Sequence, residues 1–91
     1  MDLHDRIARE LTEGKSLGAL IYLIGAGREL EFSVGGRMYF LSRHRSARFV
    51  SLWDGDAEQS FDSVEDCLRQ AVIAGEPFLR QWGGARIETL F

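Results

Sequence analysis

Residues 30–41 read LEFSVGGRMYFL, and this stretch decides the fold. Apolar and polar residues alternate on both sides of the two glycines, which is typical of strands that each bury one face. Gly35-Gly36 is a two-residue hairpin turn, because glycine adopts positive φ without steric cost. The turn predicts a register with three facing pairs, which are Val34 with Arg37, Phe32 with Tyr39, and Leu30 with Leu41.

A third strand is expected up to Trp53, after a turn at His44-Arg45-Ser46-Ala47. This turn predicts Leu41 opposite Val50. One face of the sheet is then uniformly apolar, and the other is more apolar than a solvated face requires. We expect the N-terminal helices or the C-terminal segment to cover part of that second face, the alternative being a contact surface. Its apolar members are Met38, Phe40, Phe49 and Trp53.

Two helices are predicted before the first strand. Leu3, Ile7 and Leu11 recur every four residues, which predicts an amphipathic helix over residues 2–13. Ser16 is a suitable N-cap for a second, strongly apolar helix over residues 17–25.

Two more helices and a strand are predicted after the third strand. Ser63 begins a capping box with Asp66, which predicts a helix to about Val72. Pro77 opens a short helix that ends at Gly83-Gly84, and residues 86–91 alternate as a final strand. The sequence thus predicts a single α+β domain over residues 1–91: N-terminal helices, a three-stranded antiparallel meander, two further helices and a C-terminal strand.

Composition restricts the class of protein. The formal net charge of −3 argues against a general nucleic-acid binder, which usually has a basic excess. One cysteine allows no intramolecular disulfide, and the first residues lack the basic region of a signal peptide. The apolar run at residues 17–26 is too short to span a bilayer. We therefore expect a cytoplasmic protein.

The chemistry-bearing residues form no recognisable catalytic or metal motif. Cys67 lies in a helical apolar stripe and is expected to be a small core residue. His4 and His44 lack a second ligand at metal spacing. Acids at residues 54–65 partly match a calcium loop, but Gln59 stands where the loop needs glycine. No enzyme activity, cofactor or metal is expected.

An uninterrupted acidic run follows the third strand. Residues 54–66 contain six acids and no Lys or Arg. Taken one at a time, most of these acids are typical of a turn or of the first residues of a helix. Taken together, they form a negative charge that would be attracted to a basic groove on a partner. Glu29 and Glu31 extend the run if they lie nearby. The predicted partner-binding residues are Asp54, Asp56, Glu58, Asp62, Glu65, Asp66, Glu29 and Glu31.

A basic turn, Arg43–Arg48, offers a competing interpretation. Its arginines could contact phosphate, and aromatic residues on the adjoining strands could stack on bases. The adjacent acids Glu29, Glu31, Asp54 and Asp56 would repel a phosphate backbone. Direct nucleic-acid binding is therefore the weaker alternative.

Four segments of the chain carry a family resemblance. They are GRELEF at 27–32, GGRMYF at 35–40, FDSVEDCL at 61–68 and IAGEPFLRQW at 73–82. In these segments the chain resembles small phage and prophage accessory proteins, a kind that includes anti-CRISPR proteins. The resemblance implies no catalytic residue. It implies a non-enzymatic protein that occupies a nucleic-acid or target-recognition surface of a CRISPR complex.

The expectation from the sequence is a monomeric, phage-encoded inhibitor of the anti-CRISPR type. It would act as a DNA mimic and block DNA binding by a CRISPR surveillance complex, type I in preference to a single-protein effector, through its acidic surface. The alternatives are an interaction module, such as an immunity protein or antitoxin, that uses the aromatic face, and a small nucleic-acid binder that uses the basic turn.

Overall fold

The computed structural model describes residues 2–44 and 49–91. Its helices are α1 (Leu3–Gly14), α2 (Leu17–Gly25), α3 (Val64–Gln70) and α4 (Phe78–Trp82). Its strands are β1 (Leu30–Val34), β2 (Arg37–Arg43), β3 (Val50–Asp54), β4 (Ala57–Phe61), β5 (Val72–Ile73), β6 (Glu76–Pro77) and β7 (Arg86–Leu90).

Three helices begin at side-chain caps. The backbone N–H of Asp5 donates to the Asp2 carboxylate at 2.8 Å. Ser16 and Ser63 accept in the same way at the starts of α2 and α3, at 3.1 and 3.0 Å. Each cap satisfies one of the backbone donors that a helix start leaves without a partner. Both predicted serine caps are confirmed.

The main sheet has five strands in the order β4-β3-β2-β1-β7, all antiparallel. Between β1 and β2, the predicted register is confirmed at every pair from Val34–Arg37 to Leu30–Leu41. Gly35 and Gly36 have φ of 58° and 81°, which is the positive-φ turn that this register needs.

The predicted register between β2 and β3 is wrong by two residues. Leu41 pairs with Leu52, whereas the sequence predicted Val50. The physical reason is that the connection lies one residue later than predicted: pairing on the β2 side continues to His44 and pairing on the β3 side begins at Phe49, where the N–H of His44 donates to the carbonyl of Phe49 at 3.0 Å. A shift of two residues keeps every side chain on its predicted face.

The sequence missed β4 and the β5–β6 hairpin. Gly55, with φ of 58°, turns the chain directly from β3 into β4. The helix predicted to reach Val72 ends at Gln70, because Ala71 is already extended with ψ of 147°. Ala74 and Gly75 then form the turn between β5 and β6.

One hydrophobic core lies between the sheet and the helices. Phe32 of β1 is fully buried and meets the rings of Tyr39, Phe78 and Trp82 at centroid distances of 5.5 to 5.9 Å. All four described helices contribute buried side chains to this side of the sheet. The predicted α+β class is confirmed as two layers, helices over an antiparallel sheet. None of the helices in residues 2–44 and 49–91 has the length and apolar character of a membrane-spanning segment.

Candidate functional site on the open face of the sheet

The side of the sheet away from the helices carries a group of aromatic side chains. Strand alternation directs Met38, Phe40, Phe49 and Trp53 to this side, which we call the open face. Phe40 pairs with Trp53 across β2 and β3. At one border the Phe91 ring meets the Phe40 ring edge-on, with the ring centroids 6.1 Å apart. At another border the ring centroids of His44 and Phe49 are 4.2 Å apart.

The open face has no helix over it in the described part of the chain. The side chains of Met38 and Phe91 are 43% and 56% exposed, and Phe40, Phe49 and Trp53 are half-buried among their neighbours. The expected cover by N-terminal helices is therefore wrong. Of the C-terminal segment, Phe91 reaches the border of the face. A partly exposed group of aromatic side chains is typical of contact surfaces.

Acidic side chains lie on the same face. Strand register places Glu31 and Glu58 there. Glu29, two residues before Glu31, continues this alternation, because its carbonyl accepts from the N–H of Phe91 at 2.8 Å and the Phe91 ring meets Phe40. Hydroxyl groups hold two of these carboxylates: fully buried Ser51 donates to Glu58, and Thr89 donates to Glu31 at 3.3 Å. Three of the predicted binding residues thus join the aromatic group that the sequence assigned to the alternative interface.

A fourth acid, Glu88, was missed by sequence reasoning. Ser33 donates to its carboxylate at 2.9 Å, and Arg86 lies 3.4 Å from it. Glu88 is the extra residue of a β-bulge between β1 and β7. The alternation in residues 86–91 predicted a strand, but its place beside β1 depends on tertiary pairing, so Glu88 and Phe91 had no local signal.

Asp54 and Asp56 lie at the tip of the β3–β4 hairpin. Asp54 accepts from the Arg37 guanidinium at 2.8 Å. This hydrogen bond and the charge attraction raise the pKa of Arg37 above its ordinary value. Asp56 is exposed in the turn. The negative charge of Asp54 is therefore balanced by an arginine that lies outside the acidic run.

Asp62, Glu65 and Asp66 lie at the other end of β4, where α3 begins. Asp66 forms an ion pair with Arg69 in the next turn of the helix. Asp62 and Glu65 line a shallow cavity together with Arg43. The strand β4, with its exposed Glu58, lies between these acids and the hairpin tip, and arginines from outside the run pair with Asp54 and Asp66.

The other chemistry-bearing residues are used structurally. Burial raises the pKa of the Cys67 thiol to about 12. Arg43 donates to the Gly25 carbonyl at 2.6 Å, and the rest of the predicted basic turn, residues 45–48, lies outside the described residues. Within residues 2–44 and 49–91, no three His, Cys, Asp or Glu side chains group as metal ligands.

Comparison of the chain with protein-family models, with curated proteins and with solved structures finds no match.

Proposed function

We propose that this protein is a non-enzymatic binding module whose open face docks on a basic surface of a partner protein. One observation carries the proposal: the aromatic side chains and Glu29, Glu31 and Glu58 share the face that lies opposite the helix layer. Aromatic groups supply apolar contact area in a binding interface. Carboxylates beside them select a positively charged partner and speed the encounter.

Within this class, we propose an inhibitor of the anti-CRISPR kind that acts in the bacterial cytoplasm. Support comes from the resemblance to small phage accessory proteins and from the acids of the open face, which would compete with DNA for a basic groove. A type I surveillance complex is the proposed target. The interface then centres on the open face and not on the acidic run at residues 54–66.

The test is a pair of charge-matched variants. Glu29→Lys with Glu31→Lys reverses charge on the open face. Asp5→Lys with Glu10→Lys makes the same change in net charge on the exposed side of α1. Asp54 is unsuitable for reversal, because its loss would also release Arg37.

The readout is competition with DNA for a purified type I surveillance complex, followed by fluorescence anisotropy. We expect the open-face variant to lose inhibition by about tenfold or more, which corresponds to about 1.4 kcal/mol, while the α1 variant inhibits like the parent. Equal inhibition by both variants would exclude the open face as the interface.

A parent protein that leaves DNA binding unchanged would exclude the anti-CRISPR form. The binding module is then tested by capture from bacterial lysate with the same two variants. A partner that the parent and the α1 variant recover, and the open-face variant does not, supports the module. Equal recovery by all three proteins contradicts it.

A further inference from the structure

The two edges of the main sheet differ in how they are protected. Strand β7 has a bulge at Glu88 and charged side chains along it, and Arg28 donates to the Phe91 carbonyl just beyond its end. Bulges and charges are devices that prevent another strand from pairing. Strand β4 is regular, pairing with β3 from Asp54–Ala57 to Val50–Phe61 without a shift. Within the described residues, β4 has a neighbouring strand on one side only.

The free backbone groups of β4 can be identified. The bond from His44 N–H to the Phe49 carbonyl fixes the phase of the β2–β3 ladder, so odd-numbered residues of β3 bond to β2 and even-numbered residues bond to β4. The β4 residues opposite the even-numbered ones are 57, 59 and 61. Glu58 and Ser60 therefore direct their N–H and C=O groups away from the sheet, and both residues are exposed.

Strand β4 is held in its extended form from the helix side. The side-chain amide of Gln59 pairs with the backbone of Val72, donating to its carbonyl at 2.7 Å and accepting from its N–H at 2.9 Å. These two bonds imitate a strand pairing and fasten β4 to β5. An edge that is already extended loses little conformational entropy when a further strand binds.

The charge around the β4 edge determines which kind of strand could pair with it. Asp56 precedes β4, Glu58 lies within it and Asp62 follows it, with no Lys or Arg in residues 54–66. A second copy of β4 would bring two such acidic segments together, and like charges on facing strands are destabilising. A basic extended segment is the complementary occupant.

We propose that a basic, extended segment of the partner adds to β4 as a sixth strand of the sheet. The inference rests on the proposed function, in which the partner is a basic protein, and it names how that partner is held. Main-chain hydrogen bonds to Glu58 and Ser60 give affinity, and the flanking acids give selectivity for Lys and Arg.

The probe is a fluorescein-labelled ten-residue peptide in which Arg and Thr alternate, and its control carries Glu in place of Arg. In amide hydrogen exchange on the parent protein, we expect the Arg peptide to slow exchange at Glu58 and Ser60 by about tenfold or more. The backbone amide of Leu90, on β7, is expected to remain unchanged. The Glu peptide is expected to slow neither edge.

Ser60→Pro removes the outward N–H, and proline is tolerated at such a position of an edge strand. Its affinity for the Arg peptide should fall by about tenfold, whereas Ser60→Ala should bind within about twofold of the parent. If Ser60→Pro does not fold, hydrogen exchange on the parent protein still tests whether the Arg peptide pairs with β4.

Three results would overturn strand addition. The first is binding of the Arg peptide that shifts the NMR signals of Phe40 and Trp53 without slowing amide exchange at Glu58 and Ser60. That result would still support binding through the open face. The second is protection of these amides that rises with protein concentration and needs no peptide, which would assign the edge to a second copy. The third is no binding at millimolar peptide in low salt.

Discussion

Lys15 and Trp82 hold each other through reciprocal hydrogen bonds. The Trp82 indole donates to the backbone carbonyl of Lys15 at 3.0 Å, and the Lys15 ammonium donates to the backbone carbonyl of Trp82 at 3.2 Å. The ammonium also donates to the carbonyls of Gly83 and Ala85, which follow α4. Carbonyls at a helix C-terminus attract a cation. The only lysine of the chain therefore fastens the α1–α2 junction to the α4–β7 connection.

We predict that Lys15→Met lowers the free energy of unfolding by about 2 kcal/mol, because three carbonyls lose a charged donor. Methionine keeps the length of the side chain and the left-handed backbone of residue 15, whose φ is 52°. The control, Arg6→Met, removes an exposed cation from α1 and should change the free energy of unfolding by less than about 0.5 kcal/mol. Urea denaturation measures both, and equal losses would contradict the prediction.

A second prediction concerns the hydroxyl of Tyr39, which is buried with no hydrogen-bond partner among the described residues. Burying an unpaired hydroxyl is unfavourable, so Tyr39→Phe should leave the free energy of unfolding unchanged or raise it by up to about 1 kcal/mol. Tyr22→Phe, at a tyrosine that is 46% exposed, is the control and should be neutral. A loss of more than about 1 kcal/mol for Tyr39→Phe would mean that the hydroxyl has a partner.

Local pattern predicted the parts of the fold that depend on local geometry. A two-residue hairpin loop leaves one register for the strands that it joins, and so Gly35-Gly36 determined the β1–β2 register correctly. The longer connection between β2 and β3 does not restrict pairing in this way, and the predicted register there was wrong by two residues. The faces were nevertheless correct, because a shift of two preserves the alternation.

Tertiary pairing determined what the sequence could not supply. Residues 57–61 read AEQSF, which has weak alternation, and they form a strand because Gly55 turns them directly onto β3. The acidic run looked unpaired because its counter-charges lie outside residues 54–66. Arg37 pairs with Asp54 from 17 residues away, and Arg69 pairs with Asp66 from the next turn of α3. Alternation alone predicted which residues lie on the open face. Whether a helix covers that face depends on tertiary packing, which alternation does not determine.

The β5–β6 turn gives a third prediction. Ala74 has φ of 52°, a left-handed conformation in which a β-carbon is strained, and the next residue, Gly75, has φ of 79°. Asparagine tolerates this conformation, so Ala74→Asn should raise the free energy of unfolding by about 0.5 kcal/mol. Ala57→Asn, in the exposed strand β4, should not raise it. Equal effects in urea denaturation would show that Ala74 is not strained.

The fourth prediction concerns Cys67, which is fully buried on α3. Burial raises its pKa to about 12 from an ordinary 9.0, so between these values the folded thiol stays protonated while the unfolded thiol ionises. Ionisation then favours the unfolded state. The stability that this thiol contributes is complete below pH 9 and is lost as the pH rises toward 12.

The native thiol should therefore be inert to a disulfide reagent at about pH 8 and react fully in concentrated guanidinium chloride. Between about pH 9 and pH 11, the free energy of unfolding should fall more steeply for the parent than for Cys67→Ala, which lacks the titrating group. Urea denaturation across this range measures the two slopes. Parallel slopes, or fast labelling of the native protein, would show that Cys67 is accessible to solvent and that its thiol titrates in the folded state.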